Sequence, residues 1–140
     1  METDDIPRTG IDFMDRTHQE EVGLYNDLRA LVAQPDDGRG YANDIEQALE
    51  RWIEHTVAHF ERENALMAST ALPTMLLHEG EHVMALKLME QVLDHWRSRQ
   101  DTERLNYFLN ELWPDWFVRH VGSMDQLAAQ HALQQGYQAP

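Results

Sequence analysis

Cysteine is absent from these 140 residues, which excludes disulfides, thiolate metal sites and cysteine nucleophiles. Its absence fits a reducing compartment, and the expected location is the cytoplasm. Basic residues are scarce, 11 against 25 acidic ones, so the formal net charge is −14. A chain this negative is repelled by nucleic acid and by anionic membrane surfaces, and neither is an expected partner. Long apolar runs are missing as well; none approaches the ~18 to 20 residues that cross a bilayer. The opening Met1-Glu-Thr-Asp-Asp5 lacks the basic and apolar stretches of a signal peptide. Strand-like alternation, low-complexity tracts and internal repeats are not seen either. One all-helical domain over residues 1–140 is expected, with its core at about 10–127.

What is abundant is histidine, eight residues in an acidic chain. The apolar residues recur every three or four positions in four segments. The first runs from about Asp12 to Ala33 and stops at the proline- and glycine-rich loop Gln34–Gly40. The second, about Tyr41 to Ala68, carries Ile45, Leu49, Trp52, Thr56, His59, Glu63 and Met67 on one face. The third opens at Pro73, a favoured first helical position. Its inward row is Met75, His78, His82, Leu86, Met89, Leu93 and Trp96. The fourth starts at the capping residues Asp101-Thr102 and aligns Leu105, Leu109, Trp113, Trp116 and His120. Pro114 should bend that helix, since it removes the backbone bond to Asn110. Gly122 then loosens it before a short tail helix from Met124 to Gln134. Short loops between helices ~30 to 40 Å long predict an antiparallel, up-down-up-down four-helix bundle with a short C-terminal helix.

Polar residues on the inward rows carry the chemistry. At 100° per residue His59 and Glu63 share a face, as do His78 and His82. His18 lies on the stripe of Val22, Tyr25 and Leu28. Five imidazoles with Glu63 and Asp125 are costly to bury unless something satisfies them, and metal does. Each helix contributes, which is too much for one tetrahedral zinc and suits two first-row metals with carboxylate bridges. Imidazole with carboxylate favours iron or manganese.

These residues resemble the hemerythrin signature: His18, His59-Phe60-x-x-Glu63, His78-x-x-x-His82 and Trp116-x-x-x-His120-x-x-x-x-Asp125. The likeness spans roughly Gly10 to Leu127 and is closest to the single-domain bacteriohemerythrins. It implies two non-haem irons, oxo- or hydroxo-bridged, that bind O2 reversibly. It also implies that His78, His82 and His120 hold one iron, while His18 and His59 hold the other, which keeps an open position. Glu63 and Asp125 would bridge the pair. Such a protein is a carrier, store or delivery protein for oxygen rather than an enzyme. The alternatives are an O2 or redox sensor acting through a separate protein partner, and a di-iron peroxidase or oxidase. A monomer is the expected state.

Four further residues draw expectations. His55, one turn before His59, is expected to pack behind the ligands, the alternative being an extra ligand or a proton donor. Asn64, where the family often has glutamate, is expected to be a surface difference. His95 and His131 fall off the ligand pattern and are expected at the surface. His78-Glu79-x-x-His82 also matches the zinc-protease helix, with Glu103 as a distant third ligand. That reading leaves His59, Glu63, His120 and Asp125 without a use. A ferritin-like oxidase needs two E-x-x-H motifs, and the chain offers one, Glu79-x-x-His82.

Overall fold

A computed structural model describes residues 1–139 of the chain. Helix α1 spans Asp12–Ala33, α2 Tyr41–Ser69 and α3 Met75–Arg99. The fourth element is one helical run made of α4 (Thr102–Tyr107), α5 (Trp113–His120) and α6 (Gln126–Gln134). Two wide turns with i→i+5 geometry, Phe108–Leu112 and Val121–Asp125, join its three pieces. Helix α1 packs on α2, α2 on α3, α4 on α1, and α6 on α2. The result is the antiparallel four-helix bundle that the short loops predict. No strand occurs among the described residues, and none of their helices is long and apolar enough to cross a membrane.

The inward row of α2 is buried throughout, from Ile45 to Met67. Trp52 lies fully inside, against Tyr25, Phe108 and Trp113. Burying side chains of this size contributes roughly 1.5 to 3 kcal/mol each before cavity effects. Gly40 precedes α2 with φ +87°, a left-handed conformation that costs glycine little. Asp101 caps α4 by accepting from the Arg104 amide at 3.2 Å.

Two local expectations need correction, and the expected effect of Pro114 takes the form of a widened turn. Helix α3 starts at Met75 after the N-cap Thr74, with Pro73 in the preceding turn rather than at the first helical position. The fourth helix accommodates Pro114 by widening one turn upstream. There the Trp113 amide donates to Phe108, which leaves the Leu109 carbonyl facing a proline with no N–H. The Tyr25 hydroxyl donates to that carbonyl from α1. The tail helix is continuous with the fourth helix, through the wide turn that contains Gly122. Its alanines Ala129 and Ala132 pack on Ile11, Met14 and Leu66, closing one end of the bundle.

Candidate metal centre

Those helices deliver His18 from α1, His59 and Glu63 from α2, His78 and His82 from α3, and His120 and Asp125 from the fourth run. All seven are buried, none more than 3% exposed. They fall into two groups that share both carboxylates. One is Glu63, His78, His82, His120 and Asp125; the other is His18, His59, Glu63 and Asp125. Glu63 Oε2 faces the second group, 2.8 Å from His59 Nε2 and 3.2 Å from His18 Nε2. Its Oε1 faces the first, 3.3 Å from His82 Nε2. Asp125 divides in the same way: Oδ2 lies 3.0 Å from His18, Oδ1 3.0 Å from His78 and 3.3 Å from His120. Donors about 2.1 Å from an octahedral metal stand about 3.0 Å apart, so these spacings match the edges of two coordination shells.

The wide turn Val121–Asp125 explains the last donor. Five residues of α-helix would set Asp125 about 140° away from His120. The extra residue in the turn brings its carboxylate back to the imidazole.

Three of the histidines are held from behind. His59 Nδ1 donates to Glu21 at 2.9 Å, His82 Nδ1 to Asn64 at 2.9 Å and His120 Nδ1 to Glu81 at 2.7 Å. Each bond places the proton on Nδ1 and leaves Nε2 free to face the centre. Aromatic faces fix the ring planes: Phe60 stacks on His82 at 3.9 Å, and Trp116 on His120 at 4.6 Å. Asn64 is therefore no surface difference, since its side chain orients His82.

The sequence reading missed Glu21, Glu81 and the role of Asn64. Glu21 had a signal, being three residues from His18 on the same buried stripe of α1. Glu81 and Asn64 are each adjacent to a buried donor, off the inward rows, so periodicity does not reveal them. His55 lies beside two glutamates of α1: its Nε2 is 3.2 Å from Glu20, and its Nδ1 is 3.5 Å from Glu21. His95 and His131 are both half-buried rather than at the surface. His131 Nε2 donates to the Thr70 carbonyl at 2.7 Å and ties the tail helix to the α2–α3 loop. Glu103 is exposed, and neither it nor Glu79 belongs to either group.

The electrostatics are those of buried charges that need partners. Burial pushes the His18 and His59 imidazoles down, but facing carboxylates override it. Asp125 and Glu63 raise His18 to about 9, and Glu63 and Glu21 raise His59 to about 10. Burial pushes Glu63 and Asp125 up, and the surrounding histidines hold both well below the usual carboxylate range. Burial keeps His82 below its ordinary value, helped by the neighbouring His78 and His120.

Glu21 is the most deeply buried of the supporting groups. It also accepts from the Thr56 hydroxyl at 2.9 Å. Glu21→Gln keeps the shape but removes the acceptor charge from His59. Metal affinity is expected to fall about 10- to 100-fold, measured by competition with a chelator. The helical circular dichroism should stay unchanged.

Several buried polar atoms approach imidazole or carboxylate neighbours at 3.0 to 3.3 Å without forming a hydrogen bond: Glu63 Oε1, both Asp125 oxygens and His78 Nε2. Orphans this deep are rare in folded proteins, and here they converge on two points. A helical bundle with imidazoles and shared carboxylates at its centre is the architecture of a cation-binding protein. The profile of the Hemerythrin HHE cation binding domain matches residues 9–132, and the chain belongs to that family. It is 27% identical over 125 residues to the bacteriohemerythrin of Aquifex aeolicus (strain VF5), covering 89% of this chain and 92% of the relative. It is 33% identical over 93 residues to that of Ralstonia nicotianae (strain ATCC BAA-1114 / GMI1000), covering 66% of each. No solved structure matches the chain.

Proposed function

We propose that this chain holds two irons and binds O2 reversibly, as an oxygen carrier or store rather than an enzyme. The observation that carries the reading is the division of each carboxylate between the two histidine groups. His78, His82 and His120 would hold one iron, His18 and His59 the other, with Glu63 and Asp125 as bridges. Iron bound in this set supplies the electrons that O2 draws on when it binds. Five imidazoles and only two carboxylates favour reversible binding over O2 activation. The unsatisfied oxygens of Glu63 and Asp125 fit this assignment, because metal would satisfy them.

The chain's own residues define the surroundings. Phe117 meets His18 edge-on at 5.9 Å, and Phe60 lies 5.1 Å from His59, so apolar rings exclude water beside the two-histidine group. The absorption spectrum of the reduced, iron-loaded protein is the test, taken before and after air. A new visible band that vanishes on removing oxygen supports the proposal. No band, or oxidation without a reversible phase, overturns it.

His55 separates a carrier from an oxidase. A proton donor at the bound oxygen would favour its release in reduced form, leaving oxidised iron. Here both ring nitrogens of His55 face Glu20 and Glu21. The expectation is that His55→Phe leaves two irons bound and the decay of the oxygenated form little changed. Several-fold slower decay in the variant, with wild-type decay quickening at lower pH, would assign His55 as the proton source.

A further inference from the structure

Helix α3 is apolar on two opposite faces. Its inner row holds His78, His82, Ala85 and Met89 inside the bundle. Opposite them stand Leu76, Leu77, Val83, Met84 and Leu88, with Leu76 84% and Met84 66% exposed. A contiguous apolar stripe on the water-facing side of a helix marks a contact surface. Between Leu76 and Leu88, a stretch about 18 Å long, the two carboxylates of the helix, Glu79 and Glu81, flank this outer face rather than standing within it. Gly80 and Lys87, the sole lysine of the sequence, complete it.

Gly80 is the informative residue. A glycine in a helix interior costs about 1 kcal/mol relative to alanine. No heavy atom lies within 4 Å of where its Cβ would be, so nothing inside this chain requires it. It leaves a notch in the outer face, one turn from the protruding Met84.

We infer that the outer face of α3 binds a second copy of this chain, in an antiparallel α3–α3 contact around a two-fold axis near His82. Notch and knob lie on one face, as an isologous contact demands. A two-fold axis at that position sets Gly80 of each copy opposite Met84 of the other. The same operation brings Lys87 alongside the turn that carries Glu79 of the other copy. Each chain has a net charge of −14, and this face is where two copies meet with least repulsion. The groove between α3 and the fourth helix, about 410 Å³, extends the surface with Leu88, Leu112, Trp113 and Trp116, and also carries Glu111, Asp115 and Arg119. A standard interface commits about 800 Å² per partner, so a stripe this short makes a weak, concentration-dependent dimer. The contact is independent of the metal centre and departs from the monomer expected from the sequence.

The experiment is sedimentation velocity on the iron-loaded full chain, over a range of protein concentration, at low and high salt. The dimer fraction should rise with concentration, and rise further with salt, because salt screens the long-range repulsion and leaves apolar contact intact. Met84→Glu should weaken association at least about tenfold, since symmetry doubles the new charge. Gly80→Gln should weaken it similarly while raising the melting temperature, so loss of the dimer cannot be mistaken for unfolding. A monomer at every concentration and salt overturns the inference. A dimer that salt disperses, or one that survives both substitutions, overturns it as well, because it places the contact elsewhere.

Discussion

Removing the metal should lower the melting temperature of this protein by roughly 10 to 20 °C. Seven buried donors then lose the partner that satisfies them, and binding free energy is folding free energy. Metal at 1,000 times its dissociation constant contributes about 4 kcal/mol, and each kcal/mol moves a chain of this size by roughly 3 to 5 °C. The metal-free protein should also have its own pH signature. The imidazoles of His18 and His59 are raised to about 9 and about 10 against their carboxylates. Their contribution is fully present below the ordinary value near 6.5 and is lost as pH climbs through 9 and 10. The apo chain therefore weakens toward alkaline pH. The loaded chain behaves in the opposite sense in acid, since protonated imidazole cannot ligate and the metal leaves. Differential scanning calorimetry of both forms between pH 5 and 10 reads the two trends. A melting temperature indifferent to chelation would overturn the assignment of the seven donors.

Glu63→Ala or Asp125→Ala should cost both irons, whereas His18→Ala should cost only one. Each carboxylate places one oxygen in each histidine group, so its loss strips a donor from both. His18 serves only the two-histidine group. Metal analysis after dialysis should fall from about two irons per chain to well under one for either carboxylate variant. For His18→Ala it should settle near one. Equal losses in all three would mean that the carboxylates do not bridge. A single zinc retained in His120→Ala would instead favour the helix bearing His78 and His82 as a protease motif.

The helices and six of the seven grouped residues were readable because both obey a period of 3.6 residues; Asp125, five residues after His120, does not. A buried row on a long helix repeats often enough to reveal itself, and His59 with Glu63 sits within such a row. Helix α1 was read to the residue, since the proline-rich loop after Ala33 leaves little freedom. The wide turns were not legible as such. Pro114 and Gly122 mark where the fourth helix must yield, but the same residues are compatible with a kink or a break. At the first wide turn the carbonyl set free, that of Leu109, is satisfied from another helix by the Tyr25 hydroxyl, a pairing that helical periodicity does not show. The groups behind the histidines were the least legible. Glu81 and Asn64 bond to side chains 39 and 18 residues away, a distance that no local pattern encodes.

The order in which the donors are strung along the chain has a consequence for how the protein is made. At roughly 5 to 20 residues per second, between about 5 and 20 seconds separate synthesis of His18 from that of Asp125. Before Asp125 emerges, Glu63 stands without the second shared carboxylate, and neither group is complete. The hairpin of α2 and α3 by then already presents His59, Glu63, His78 and His82, but these divide between the two groups and converge on no single point. The nascent chain thus passes through a stage in which both groups are partly built and neither is closed. Both groups close only when the last helix arrives, its widened turn setting Asp125 beside His120.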